Sequence, residues 1–98
     1  MYQSMSIPEF EQKMKKENVD LIDVREADEF AAGHIPGATH VPLSGFPEAA
    51  EALDKNKHYH VICHSGGRST MACEQLSQAG YDVTNIMGGM SAWRGETE

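Results

Sequence analysis

His58-Tyr59-His60-Val61-Ile62-Cys63-His64-Ser65-Gly66-Gly67-Arg68-Ser69 is the stretch on which the reading of this chain turns. Tyr59, Val61 and Ile62 make its opening read as a strand over His58 to Ile62. Residues 69 to 78 read as a helix, with Ala72, Leu76 and Ala79 on one apolar stripe and Gly80 as its stop. A cysteine at the end of a strand, two glycines, an arginine and a helix start make an anion cradle around a thiolate. The glycines allow positive φ, so successive N–H groups turn inward. The helix N-terminus adds unpaired N–H groups and partial positive charge, and Arg68 adds a full one. Each stabilises Cys63 as the thiolate, which is the nucleophilic form.

Outward from this stretch the pattern alternates. Asp20 to Val24 reads as a buried strand, Val83 to Met87 as another, and Thr39 to Val41 as a short one ended by Pro42. A short strand at Gln3 to Met5 precedes a helix over residues 7 to 16. Ser6-Ile7-Pro8-Glu9 fits that helix's capping box, and Ile7, Phe10 and Met14 form its apolar face. Ala27 to Ala32 is a second helix, capped by Gly33. Pro36-Gly37 is a turn, and Phe46 to Leu53 reads as a helix with Pro47 in its first turn. Gly88-Gly89 is a turn before a last helix over Met90 to Arg94. Strands alternating with helices imply an α/β three-layer sandwich around a mostly parallel sheet. Sites in such sheets form at the carboxyl ends of strands, so Cys63 and Asp23-Val24-Arg25 are expected on one edge.

Ninety-eight residues allow one domain, over residues 1 to 98, with one modest core. The net charge of −7 argues against nucleic acid or an anionic membrane as partner and makes any anion site a local feature. Two cysteines are too few for a disulfide framework. No apolar run reaches the length of a membrane span and no signal peptide is visible, so a cytoplasmic, monomeric protein is expected.

Three segments together resemble the single-domain rhodanese-like sulfurtransferases. They are Leu21-Ile22-Asp23-Val24-Arg25 through Glu29-Phe30 to Gly33-His34-Ile35-Pro36-Gly37-Ala38 and Val41-Pro42; the loop Cys63 to Ser69; and Gly88-Gly89 with Trp93. The resemblance implies a five-stranded parallel sheet flanked by helices, and a cysteine that carries sulfane sulfur as a persulfide. It implies a small anionic sulfur donor such as thiosulfate, a thiol or protein as sulfur acceptor, and no cofactor. Ping-pong behaviour follows from the covalent intermediate. Asp23 and Arg25 match the family pattern and are expected to form a supporting shell beside the active edge; Arg25 is also in reach of Glu29. Two rival readings are a persulfide carrier or sensor for a partner protein and an arsenate or phosphate enzyme. Four residues separate Cys63 from Arg68, His64 to Gly67. Cysteine phosphatases keep one more, so the shorter ring suits a terminal sulfur better than a phosphoryl group.

The substrate pocket is thus assigned to His64, Ser65, Gly66, Gly67, Arg68 and Ser69. His64 reads equally as a solvated loop residue or a proton relay, and Ser65 as a donor at the pocket mouth or a surface residue. Cys73, inside the following helix, is expected to pack, with a resolving role for Cys63 as the alternative. Strand alternation turns His58 and His60 away from position 63, so no metal site is expected from the histidines. His34 is expected to fix its turn, and Trp93 to close the core.

Overall fold

The computed structural model describes residues 2–98. Five strands alternate with helices: β1 Gln3–Ser6, α1 Ile7–Lys16, β2 Asp20–Asp23, α2 Ala27–Ala32, β3 Thr39–His40, β4 His58–Ile62, α3 Gly67–Gln78, β5 Asp82–Met87 and α4 Gly89–Ala92. The strands form one sheet in the order β1-β5-β4-β2-β3, and every neighbouring pair is parallel. β4 lies at the centre, buried on both faces, which is why its sequence reads as a near-continuous run.

Alternation along β4 divides the core in two. Tyr59, Val61 and Cys63 face a cluster with Ile22, Val24, Ala72, Cys73, Leu76 and Val83, under α3. Ile62 faces the other cluster, with Ile7, Phe10, Leu21, Ile35 and Ile86, under α1 and the half-buried Trp93. His60 shares that second face, its ring 5.6 Å from Phe10. The stripe on α3 is Ser69, Ala72, Cys73 and Leu76; Ala79 is exposed, because the helix ends before that position turns inward.

Local signals set most boundaries. Ser6 caps α1 by accepting the Glu9 N–H at 3.3 Å, and Pro8 stands in its first turn. Gly33 caps α2 with φ +154° and ψ +129°, a positive-φ conformation outside the αL region, rarely adopted by residues that carry a side chain. The helix expected over Phe46 to Leu53 is replaced by two 3-10 turns, Leu43–Gly45 and Glu48–Ala50. Pro42 and Pro47 each stand immediately before one of these turns, where the missing N–H costs nothing, and each turn is closed by i to i+3 bonds. These turns lay Phe46, Ala49 and Leu53 against the α3-side core. No helix among the described residues is long and apolar enough to cross a membrane.

Candidate active site

Parallel register brings the two predicted segments together. Asp23 pairs with Ile62, and the Val24 N–H donates to the Ile62 carbonyl at 3.0 Å. Cys63 therefore leaves β4 at the same sheet edge where Val24 and Arg25 leave β2. α3 begins at Gly67, earlier than the apolar stripe suggests, so Gly67 and Arg68 belong to its first turn and Gly66 is the cap. The glycine is required there, since φ is +110°.

The Cys63 sulfur sits on the floor of this turn, in a residue only 1% exposed. It accepts the Gly66 N–H at 3.0 Å and lies 3.4 Å from the Ser69 hydroxyl oxygen. Ser69 Oγ donates in turn to the Gly66 carbonyl at 3.1 Å, and Thr70 Oγ1 donates to the same carbonyl at 2.7 Å. Asn85 on β5 holds Thr70 Oγ1 at 3.2 Å. Burial is the largest single influence on the thiol and opposes ionisation. The hydrogen bond between the sulfur and the Ser69 hydroxyl and those from the N–H groups of Ser69, Gly66 and Ser65 together outweigh it, and the pKa falls below the ordinary 9.0. Cys73 shows the contrast. Buried without such donors, and beside Cys63, its thiol is pushed up to about 12.

A second layer holds the loop from behind. At the N-terminus of α4, Met90 N–H donates to the Cys63 carbonyl at 2.8 Å and Ser91 N–H to the His64 carbonyl at 2.7 Å. The two carbonyls are thereby turned away from the sulfur, leaving the N–H groups to face it. This contact requires glycine at position 89, because a Cβ there would overlap both carbonyl oxygens. The sequence marks Gly88-Gly89 as a turn and as part of the family resemblance, but gives no sign of this contact. Thr70, Asn85, Met90 and Ser91 carried no signal, since their roles depend on contacts between distant segments.

The charged residues pair among themselves. Arg68 makes a fork with Glu29, bonding Oε1 through one terminal nitrogen and Oε2 through the other at 2.8 Å. Glu29 is held further by the Glu26 N–H at 3.1 Å, within the capping box of α2. The Arg68 hydrogen bonds bring the Glu29 carboxyl down to about 2, against the opposing effect of burial. Arg25 turns to Asp23 instead of Glu29, with Nε 3.0 Å from Oδ1 and a terminal nitrogen 2.8 Å from Oδ2. It also donates to the Gly33 carbonyl at 2.8 Å, tying β2 to the end of α2. Asp23 and Arg25 thus brace the β2–α2 connection. His64, Ser65 and Gly67 are exposed at the mouth, and Ser69 is buried beside the sulfur. His34 bonds the Phe30 carbonyl at 2.9 Å and fixes its turn. His58 is engaged by Thr84 and Asp82, on the far side of the sheet from Cys63.

The rhodanese-like domain family model matches residues 6–96. A Bacillus subtilis protein named "Putative sulfurtransferase YtwF" is 44% identical over 100 residues, covering 96% of this chain and 97% of its own. A second from the same organism, "Putative sulfur carrier protein YrkF", is 40% identical over 96 residues, covering 96% of this chain and 52% of its own. The crystal structure of a rhodanese-like domain protein from Staphylococcus aureus superposes with a TM-score of 0.91 at 34% identity, covering 98% of this chain and 96% of that one. With the parallel sheet and the cysteine loop at its carboxyl edge, these matches place the chain in the rhodanese-like sulfurtransferase and sulfur carrier family.

Proposed function

We propose that this chain moves sulfane sulfur from a small donor to a thiol through a persulfide on Cys63. The observation that carries the reading is the environment of the sulfur: a buried thiol whose pKa is lowered by loop N–H groups and the Ser69 hydroxyl. In the first half-reaction the Cys63 thiolate attacks the outer sulfur of a donor such as thiosulfate. The donor S–S bond breaks, and sulfite leaves with its electron pair. In the second, an acceptor thiolate attacks the outer sulfur of the Cys63 persulfide and Cys63 leaves as thiolate. Gly66, Ser65 and Ser69 stabilise the anion at both stages, with the dipole of α3 behind them. His64 and Ser65, exposed at the mouth, would meet the donor or acceptor first. Asp23 and Arg25 act as the brace beneath.

The test is the intact mass of the reduced protein after brief thiosulfate treatment, beside Cys63→Ser. Gain of one sulfur atom by the wild type alone, removed by cyanide, supports the reading. The same gain in Cys63→Ser removes Cys63 from the mechanism.

A second reading, carriage of the persulfide for a partner protein, is favoured by the relative named a sulfur carrier, of which this chain spans about half. It predicts faster discharge to a protein thiol than to a small one.

A further inference from the structure

Each arginine at the active edge is matched by a carboxylate. Arg25 is committed to Asp23 and Arg68 to both oxygens of Glu29. The Glu29 fork is the consequential one, because Arg68 is the cation that acts electrostatically on the Cys63 thiolate. Glu26, another carboxylate acting on Arg68, lies at the same helix start and accepts the Ser44 hydroxyl at 2.7 Å. Thiosulfate carries two negative charges. Arriving at this mouth, it meets oriented N–H groups but a guanidinium whose charge is already neutralised.

We infer that Glu29 is a specificity-determining positioning residue, which holds Arg68 and turns the site from dianionic donors toward organic persulfides, which accept the thiolate in their protonated, uncharged form R–S–SH. The inference rests on the persulfide chemistry proposed for Cys63. With such a donor the Cys63 thiolate attacks the outer sulfur, the donor S–S bond breaks, and R–S⁻ leaves with the electron pair. The product is Cys63–S–SH, the proton staying on the transferred sulfur. The donor brings no charge of its own: the one negative charge passes from Cys63 to the departing R–S⁻, so a neutralised Arg68 costs this donor less than it costs a dianion. Geometry alone would permit Arg68 to hold an anion; the bidentate carboxylate, itself fixed by the Glu26 N–H, competes with any such anion for the same two nitrogens.

The experiment compares wild type with Glu29→Gln, which keeps the shape and one acceptor oxygen while removing the charge. Cys63 loading is followed by mass with thiosulfate and with the persulfide of 2-mercaptoethanol. Alkylation is followed with iodoacetate, an anion, and iodoacetamide, its neutral counterpart of similar size. Loss of one negative charge beside the site should speed thiosulfate loading about tenfold and iodoacetate alkylation about threefold, the effect scaling with reagent charge. The neutral reagent and the organic persulfide should change less than about twofold, and added salt should shrink the difference. Equal change in charged and neutral reagents, in either direction, would mean that Glu29 is only structural and overturns the inference. Failure of wild-type Cys63 to react with any of the four overturns the thiolate reading itself, and the inference with it. Loading by both donors with an unaltered ratio in Glu29→Gln overturns the inference alone.

Discussion

The backbone N–H of Met90 donates to the carbonyl of Cys63 at 2.8 Å, so the helix after the last strand sets the orientation of the nucleophile's own peptide. A loop that closes N–H groups around a sulfur must send its carbonyls elsewhere. Here they go to the unpaired N–H groups at the start of α4, which need acceptors for their own reasons. One contact satisfies both ends, and it is possible only because the chain approaches within backbone distance at Gly89.

Gly89→Ala should therefore damage the site from outside it. The residue has φ of +54°, and its Cβ would overlap the Cys63 and His64 carbonyls. Destabilisation of about 2 kcal/mol is expected, in the range for a strained backbone position. Persulfide formation should slow by about tenfold or more, as expected when anion-stabilising donors are displaced. Gly67→Ala is the contrast within the loop: nothing lies within 4 Å of its Cβ, and φ is not positive. That variant should gain about 0.5–1 kcal/mol from lost chain entropy and load sulfur normally. Urea titration and mass-detected loading of the pair check both, and equal behaviour would show that the α4 contact does not order the loop.

Ser69→Ala should raise the pH at which Cys63 becomes reactive. The hydroxyl is the first of the groups that draw the thiol downward, ahead of the N–H groups, and burial alone would push it up. The pH profile of iodoacetamide alkylation should move to higher pH, with Cys73 silent because its thiol is pushed up to about 12. Loss of the bond to the Gly66 carbonyl adds about 1 kcal/mol of destabilisation. An unmoved profile would assign the lowered pKa to the backbone alone.

Much of this site was legible because its parts are neighbours in sequence. Cys63, Gly66 and the start of α3 lie in one turn, and short-range patterns encode turns. β4 and α2 could be bounded for the same reason. What could not be read depends on residues far apart. Arg68 and Glu29 are separated by 39 positions, and nothing local tells Arg68 to choose a carboxylate over a substrate. Arg25 had Asp23 and Glu29 both in range, and only the extended backbone of β2 sets Asp23 on its side. The segment from Leu43 to Leu53 failed differently: its apolar spacing is helical, but Pro42 and Pro47 each start a separate short turn, and packing against the α3-side core decides the path.

Asp23→Asn tests whether that pair braces the edge or touches the donor. Asp23 is 0% exposed and Arg25 only 6%. The amide keeps the shape but leaves a buried guanidinium without its counter-charge, a loss of about 3 kcal/mol or more. The folded variant should still form the persulfide, with little change in donor concentration dependence. A normal urea midpoint with weakened donor use would instead place Asp23 in contact with the donor.

His60 should set the acid limit of stability, from the middle of β4. Neither ring nitrogen makes a hydrogen bond of good geometry, and the residue is 2% exposed against Phe10. Burial first, then the charges of Lys13 and His58, lower its pKa from 6.5 to about 4, against the Asp20 backbone and carboxylate, which raise it. In the unfolded chain it takes up a proton below its usual value, but in the folded protein only near pH 4. Between those values the unfolded state binds more protons, so stability falls as the pH drops and levels off below the folded value. The loss approaches about 3 kcal/mol at 1.36 kcal/mol per unit. His60→Leu removes the titrating group and the unpaired nitrogens together. Its urea midpoint should exceed that of wild type, by more at about pH 4.5 than at about pH 7.5. Parallel curves for the two proteins would assign acid sensitivity to other groups. Cys63 loading at neutral pH should be unaffected, since His60 lies on the other face of the sheet from the sulfur.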